Sequence, residues 1–188
     1  ANEGPKVLVY EDCYAENAAA LVGNCPVEHF VVMGDTPIGN HPAYDTLLAG
    51  AETGFVCCES LELEDIHLII HTGGTTGLPK GGLISHRSEL FNSFSEICTW
   101  GLTYTDSAVL LLPLFHTGGW NLLTPPLLHA GGTIYIARGY DPKVTLEVVQ
   151  KEKITYLFGA ATIFRMMVER PEFADADLSV EIGDLLDH

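Results

Sequence analysis

The order of apolar and polar positions predicts alternating strands and helices. Short apolar runs, most of them rich in β-branched residues, predict strands at 6–11, 28–34, 66–71, 107–115, 133–137 and 154–159. Helical spacing and composition predict helices at 14–24, 43–50, 87–100, 142–153 and 161–171. Because helices separate most of the strands, the pattern predicts an α/β fold with β-α-β units and a largely parallel sheet.

In two of these helices, the apolar positions also indicate which side chains face apolar surroundings. Leu90, Phe94 and Ile97 recur at helical spacing and predict an amphipathic helix. In the last helix, the predicted core residues are Ile163, Met166 and Met167.

Three segments leave alternatives open. Residues 55–58 could form an edge strand ahead of an acidic stretch. Pro125 and Pro126 interrupt the partly helical segment 121–132. The acidic end, residues 179–188, could add one more element or be a frayed end.

Composition narrows the class of protein. The chain has 188 residues, 47% of them hydrophobic, which is enough for one substantial core. Its formal net charge of −16 argues against binding to nucleic acid or to anionic membrane surfaces, whose phosphates would be repelled. The sequence shows neither a secretory leader nor an apolar run as long as a bilayer span, so we expect a cytoplasmic protein without a transmembrane segment.

Cysteines and histidines form no recognisable metal or disulfide pattern. The five cysteines, an odd number without a C-x-x-C pair, are typical of reduced core thiols. His67 and His71 are the most closely spaced histidines of interest, but on one strand they would lie about 13 Å apart, too far for one ion. We therefore predict no metal ligands in this chain.

Residues 66–86 contain the most informative motif, a Gly/Thr loop between two apolar runs. The loop consists of Thr72, Gly73, Gly74, Thr75, Thr76 and Gly77, and Lys80 follows after a proline. Without bulky side chains, its backbone N–H groups can approach an anion, while the hydroxyls and Lys80 add donors and positive charge. The motif predicts a phosphate site, although it fits neither the Walker A pattern nor the dinucleotide fingerprint.

A second candidate site follows the predicted strand 107–115. His116 stands there before Thr117, Gly118, Gly119 and Trp120. A titratable side chain beside two glycines at a strand end lies where the backbone can approach a ligand. An ordinary strand-to-helix turn capped by Thr117 explains the pattern equally well, so the residues alone leave both interpretations open.

Both motifs resemble those of the adenylate-forming superfamily, which includes acyl-CoA synthetases, luciferases and the adenylation domains of peptide synthetases. The first, HTGGTTGLPKG, is similar to the superfamily's phosphate loop, with Gly73 and Gly82 as departures from its usual form. The second, PLFHTGGW, is similar to the P-x-F-H segment of acyl-CoA synthetases. The resemblance implies an α/β fold that is part of an acyl-CoA synthetase-like N-terminal domain.

The resemblance also implies roles for individual residues. Lys80 and His116 would be the catalytic candidates, and residues 72–77 with Lys80 would hold the β- and γ-phosphates of ATP. His116, Gly118, Gly119 and Trp120 would contact the acyl substrate, with His116 near the reacting carboxyl group.

Trp120 is the residue that favours a fatty acid as the substrate. It stands four residues after His116, where long-chain fatty acyl-CoA synthetases carry a tryptophan that gates the acyl tunnel. The alternative is that Trp120 is a plain core residue.

The activity implied by the resemblance is that of an acid–thiol ligase. A carboxylate attacks the α-phosphate of Mg-ATP to give acyl-adenylate and pyrophosphate, and coenzyme A then displaces AMP. The implied cofactors and co-substrates are ATP, Mg²⁺ and coenzyme A, and the implied partner is a small carboxylic acid. An aryl-CoA ligase or a peptide-synthetase adenylation domain is the alternative within this class, and a noncatalytic nucleotide-binding or scaffold module is the alternative outside it.

The resemblance covers the middle of the family's large N-terminal domain. We expect residues 1–178 to be part of that domain and residues 179–188 to be an acidic tail or frayed end. The family's magnesium-binding glutamate, ribose-binding aspartate and C-terminal domain are not found in these 188 residues. The isolated chain is therefore expected to be inactive, and its uncovered apolar edges make a homo-oligomer a further expectation.

Overall fold

Strands and helices alternate along the chain, and the predicted α/β fold with parallel β-α-β units is confirmed. The computed structural model describes residues 4–34, 39–72, 80–178 and 181–184. Residues 1–58 and 59–188 form two separate units of tertiary contacts.

The first unit is built on a β-α-β arrangement. Strands β1 (Val7–Glu11) and β2 (His29–Met33) pair in parallel, and helix α1 (Ala15–Leu21) connects them. Helix α2 (Tyr44–Ala49) follows and ends at Gly50, as predicted. The buried residues that form the core of this unit are Tyr10, Ala18, Phe30 and Val32.

An antiparallel hairpin and a long helix begin the second unit. Strand β3 (Ile66–Thr72) pairs with strand β4 (Lys80–Ser85), so the apolar run after the Gly/Thr loop is also an extended segment. Helix α3 (His86–Trp100) starts where Ser85 caps it, because the Ser85 hydroxyl accepts a hydrogen bond from the Ser88 N–H at 3.2 Å. The helix ends at Gly101, which adopts the left-handed conformation at φ 66°.

A four-stranded parallel sheet forms the rest of this unit. Its strands are β5 (Ser107–Leu110), β6 (Thr133–Ile136), β7 (Tyr156–Gly159) and β8 (Glu181–Asp184), in the order β6-β5-β7-β8. The helices between them are α4 (Thr117–Trp120), α5 (Thr124–Ala130), α6 (Pro142–Glu152) and α7 (Ala161–Val168). Strand β8 pairs in parallel with β7, so residues 181–184 add an element.

Two clusters of buried side chains involve the strands of this sheet. One contains Val109, Leu111, Leu146, Val149, Ile154, Leu157 and Met167. The other contains Leu102, Ala108, Leu123, Leu127 and Phe158. Ala108 and Val109 are neighbours on β5 but belong to different clusters, because successive side chains of a strand point to opposite faces. Strand β5 is therefore buried on both faces.

The buried residues of two helices differ from those that the apolar pattern suggested. On α3 the buried residues are Glu89 and Ser93, whereas Phe94 is 48% exposed. On α7 Met167 is buried, but Met166 is 47% exposed, so its predicted place in the core is wrong. Adjacent helical residues point about 100° apart, and on α7 the Met167 side chain is the one that lies within the cluster containing Val109 and Leu157.

The structure of three other segments also differs from the one predicted from the sequence. Strand β5 ends at Leu110, well before residue 115. Pro125 and Pro126 occupy the first turn of α5 rather than interrupting a helix, because prolines are tolerated where no intrahelical N–H bond is needed. Residues 55–58 form no strand; Phe55 and Val56 are 95% and 92% exposed.

The predicted core location of the thiols is wrong. All five cysteines are free, but Cys13, Cys57, Cys58 and Cys98 are exposed and Cys25 is half-buried. Among the helices that the structure describes, none has both the length and the apolar character that crossing a membrane requires.

Replacement of Leu127 by alanine tests the packing of α5 against the sheet. Leu127 is fully buried, so Leu127→Ala should lower the free energy of unfolding by about 2–5 kcal/mol. The neighbouring Leu128 is 57% exposed, and Leu128→Ala should cost about 1 kcal/mol or less. Urea unfolding of both variants measures the difference, and equal losses would contradict this placement of α5.

Candidate functional site

The predicted phosphate loop connects the two strands of the antiparallel hairpin. Gly73, Gly74, Thr75, Thr76 and Gly77 lie outside the described residues. Thr72 is the last residue of β3, and Lys80 is an exposed residue that opens β4 directly opposite it. Backbone pairing thus brings the two ends of the loop together.

His116 caps the short helix α4. Its Nδ1 atom accepts a hydrogen bond from the Gly118 N–H at 3.1 Å, and the residue is exposed. With Nδ1 acting as the acceptor, a neutral imidazole carries its proton on Nε2 and can donate it from there. The strand-to-helix turn proposed as the alternative is therefore present, but His116 rather than Thr117 provides the cap.

Gly118 and Gly119 allow α4 to pack closely on the preceding segment. Both residues are buried. A Cβ atom on Gly119 would lie 2.2 Å from the carbonyl oxygen of Pro113, a distance that no side chain tolerates. The contacts of these glycines are with protein backbone and side chains, so their contact with a substrate stays a prediction.

Trp120 lines a cleft of about 430 Å³ within the second unit. The cleft is bounded by residues from β3, α3, α4, α5 and the segment before β3: Leu61, Glu62, Leu63, His67, His86, Glu89, Leu90, Trp120, Pro125, Leu128 and His129. Its size is typical of small-molecule sites. His116 is not part of this lining, so of the residues predicted to contact the substrate the structure brings only Trp120 into the cleft.

The aromatic rings of three residues meet on one side of the cleft. The His67 ring centroid lies 4.7 Å from that of His86 and 6.2 Å from that of Trp120. Burial, and secondarily the nearby His86, lower the pKa of His67 and favour its neutral form. Within the described ranges, no three His, Cys, Asp or Glu residues are grouped so that they could hold a metal ion.

Glu89 is a buried carboxyl group in the lining of this cleft. The residue is 5% exposed, and its Oε2 atom accepts a hydrogen bond from Asn121 Nδ2 at 2.6 Å. Its Oε1 atom and the indole Nε1 of Trp120 are both buried, and the Trp120 side chain lies close enough to act on the Glu89 carboxyl group as a hydrogen-bond donor. Burial raises the pKa of Glu89, while His129, Asn121 and Trp120 act in the opposite direction.

Glu96 is a second carboxyl group with an unusual environment on α3. Burial raises its pKa to about 8; Asn92 opposes this shift, and Glu89 adds to it. Its Oε2 atom has no hydrogen-bond partner in the described part of the chain. Glu89, Ser93 and Glu96 are spaced three and four residues apart, so they share one side of the helix.

This polar row was not among the residues predicted from the sequence. The signal was present, because Glu89, Ser93 and Glu96 repeat at the same helical spacing as the apolar residues of α3. The packed surface of α3 is mixed: Glu89 and Ser93 are buried, and Ile97 and Trp100 pack against the cluster that contains Leu127.

Comparison with known proteins identifies the family. The AMP-binding enzyme family matches residues 1–183. The chain belongs to the AMP-binding enzyme family. The resemblance noted in the two motifs thus extends along nearly the whole chain.

Relatives of the chain within the AMP-binding enzymes include several CoA ligases. It is 28% identical to a feruloyl-CoA synthase from Amycolatopsis sp over 179 residues, which are 95% of this chain and 33% of that protein. It is 38% identical to an indoleacetate–CoA ligase from Aromatoleum aromaticum over 112 residues, which are 60% of this chain and 22% of that protein. The chain therefore spans a third or less of the length of these relatives.

Solved structures support the same assignment. A candidate long-chain-fatty-acid CoA ligase from Rhodopseudomonas palustris matches with a TM-score of 0.83 and 28% identity, over 97% of this chain and 45% of that one. The described fold is thus that of part of the N-terminal domain of an adenylate-forming enzyme.

Substitution of Gly119 tests the close packing before the cleft. Gly119→Ala should lower the free energy of unfolding by at least about 2 kcal/mol, because the added methyl group meets the backbone of Pro113. Gly139 has open space around it, and Gly139→Ala should change stability by about 0.5 kcal/mol or less. Chemical denaturation compares them, and a neutral Gly119→Ala would contradict the observed packing.

The raised pKa of Glu96 predicts a pH dependence of stability. A carboxyl pKa near 8 in the folded state and near its ordinary value in the unfolded state means that the folded state binds more protons between these pH values. This contribution to stability is present below the ordinary pKa and is lost as pH rises through about 8. Glu96→Gln should remove the loss, so the variant should gain melting temperature relative to the wild type at pH 9 but not at pH 4.

Exposed Glu147 provides the control for this experiment. Glu147→Gln makes the same change in charge at the surface and should leave the dependence of melting temperature on pH as in the wild type. A Glu96→Gln variant with an unchanged pH profile would show that Glu96 titrates normally.

Proposed function

We propose that the protein to which this chain belongs uses ATP to activate a carboxylic acid and transfers the acyl group to coenzyme A. The observation that carries this proposal is the match to AMP-binding enzymes over residues 1–183, with CoA ligases among the relatives. ATP and coenzyme A are accordingly the proposed co-substrates.

The Gly/Thr loop and Lys80 would bind the ATP phosphates. A phosphate-binding loop needs both of its ends fixed, and the pairing of Thr72 with Lys80 meets that requirement. A lysine is a compact positive charge that can stabilise the negative charge that develops on phosphate oxygens during transfer. We therefore assign Lys80 to the β- and γ-phosphates, with the backbone of residues 72–77 as the second set of donors.

His116 is proposed to act at the reacting end of the acid. The hydrogen bond at Nδ1 fixes the ring and leaves the proton on Nε2. An N–H held in this way can donate to a carboxylate or α-phosphate oxygen and so position the two reactants. The nucleophile is the substrate carboxylate, and pyrophosphate leaves as the acyl–AMP bond forms.

The cleft at Trp120 is the proposed acyl site. Its apolar lining residues, Leu61, Leu63, Leu90, Pro125 and Leu128, suit a hydrocarbon skeleton and are consistent with a fatty acid. An aryl acid is the second candidate. The neighbouring rings of His67, His86 and Trp120 favour it, because a flat substrate can pack against them.

Magnesium is the usual companion of ATP in such a reaction. No three potential ligands are grouped among the described residues, but magnesium that enters with ATP is held mainly by phosphate oxygens and waters and needs no such group. We assign magnesium to no residue here and assign no step of the reaction to it.

Three further expectations stay predictions. They are a cytoplasmic location, self-association, and inactivity of the isolated chain. A noncatalytic nucleotide-binding or scaffold module remains the competing function, and it predicts that no pyrophosphate is formed.

Replacement of Lys80 tests the proposed function in the whole protein. With ATP and a panel of fatty and aryl acids, the wild type should release pyrophosphate only when an acid is present. Lys80→Ala should reduce kcat/KM for ATP by roughly 100-fold, because a charge aimed at the transferring phosphates is lost. Lys143→Ala, an exposed lysine on α6, is the matched control and should retain the wild-type rate.

Two results would contradict the proposal. Absence of acid-dependent pyrophosphate release with every acid would favour the noncatalytic module. Equal rates for Lys80→Ala and Lys143→Ala would remove Lys80 from the phosphate site.

A further inference from the structure

Cys57 and Cys58 are two adjacent thiols on the surface of the chain. Both residues are exposed, and neither takes part in a disulfide. The two residues before them, Phe55 and Val56, are almost fully exposed, so solvent surrounds this stretch of the chain. A compound in solution can therefore reach both sulfur atoms.

The conformation of this segment decides what the two thiols can do together. In a β-strand, successive side chains point to opposite faces of the sheet, so adjacent cysteines could not bind the same atom. Residues 55–58, however, lie in neither a strand nor a helix. No regular backbone geometry holds the two side chains apart, and their sulfur atoms can turn toward one ligand.

A disulfide between these neighbours is not the favoured product. None of the described peptide bonds is cis, so the Cα atoms of Cys57 and Cys58 are about 3.8 Å apart across a trans peptide. The Cα atoms of disulfide-bonded cysteines are usually at least about 4.4 Å apart, so this bond would be strained. The pair is better suited to a compound that bridges the two sulfurs through an atom of its own.

The number of ligands argues against a metal ion as that bridging atom. A structural zinc ion takes four ligands in a tetrahedral arrangement. Within the described ranges, no three His, Cys, Asp or Glu side chains are grouped so that they could hold a metal ion. The bridging atom must therefore need only two thiols and be soft enough to prefer sulfur to oxygen.

We propose that Cys57 and Cys58 form a dithiol site that binds a trivalent arsenical with one organic group. The arsenic atom of such a compound, R–As=O, forms two As–S bonds, and its oxygen leaves as water with the two thiol protons. Arsenic stays trivalent and the sulfurs are not oxidised, so the step needs no oxidant or reductant. This site is separate from the residues proposed to bind ATP and the acid.

Adjacency of the two thiols is the source of the affinity. Once one As–S bond has formed, the neighbouring thiol closes the second bond within the same molecule, at a high effective concentration. Cys13 and Cys98 are also exposed, but neither has an adjacent cysteine in the sequence. A single thiol forms only one As–S bond, so we expect its adduct to be displaced readily by other thiols.

The test uses phenylarsine oxide and the whole protein, with a phosphine to keep the thiols reduced. Intact-mass measurement should show a bound arsenical with the loss of one water, and titration with a thiol reagent should show two fewer reactive thiols for each arsenical bound. The small dithiol 2,3-dimercaptopropanol should remove the arsenical. The monothiol 2-mercaptoethanol at the same concentration should leave it in place.

Two substitutions locate the binding at the proposed sulfurs. Cys57→Ser and Cys58→Ser each leave a single thiol and should weaken binding of the arsenical by about 100-fold or more, because the second bond is lost. Cys98→Ser removes an exposed thiol of α3 and is the matched control, which should bind as the wild type does. All three positions are exposed, so thermal melting should remain as in the wild type.

Several results would overturn the inference. These are equal affinity of the wild type and Cys57→Ser, loss of binding in Cys98→Ser, and absence of binding to the whole protein. A Cys57–Cys58 disulfide that persists in the presence of the phosphine would also contradict it. None of these measurements involves ATP or a carboxylic acid, so their outcome does not affect the proposed function.

Discussion

The structure of the second unit depends on strand β5 being buried on both faces. Ala108 packs into one core cluster and Val109 into the other, so both of these successive positions must be apolar. Its start is fixed to β7 by a small polar network. Thr155 Oγ1 donates to Asp106 Oδ1 at 2.9 Å and accepts a hydrogen bond from the Ser107 N–H at 2.9 Å. With both faces and the start fixed, the chain leaves the carboxyl end of β5 at a defined place.

The candidate site follows from that exit point. Ligands of parallel α/β folds bind beyond the carboxyl ends of the strands. In this chain, α4 lies there, held close to Pro113 because residue 119 is a glycine. Helix α4 ends with Trp120, and the next residue, Asn121, hydrogen-bonds through its side-chain amide to Glu89 of α3. Packing of a central strand is thus connected to the shape of the cleft by a few short-range contacts.

Hydrogen bonds of side-chain amides connect helix α3 to Asn121, the residue that follows α4. Asn92 donates to the Asn121 carbonyl oxygen at 2.8 Å, and Asn121 donates to Glu89, so side-chain amides add to the apolar contacts that Ile97 and Trp100 of α3 make. These bonds leave Glu96 Oε2 without a hydrogen-bond partner in the described residues. Buried carboxyl groups cost free energy unless they are protonated or paired, so such a surface is typical of functional sites.

The sequence by itself determined the alternation of elements, the Gly/Thr loop with Lys80, and the position of His116 and Trp120 after a buried strand. These features are local: apolar runs, glycines and helix caps act within a few residues, and the family motifs are continuous in sequence. Tertiary structure decided which side of α3 is buried, that Trp120 lines a cleft without His116, and that Glu89 and Trp120 meet there. Those properties depend on contacts between residues about 30 positions apart, and a repeat along one helix contains no information about the segment that will pack against it.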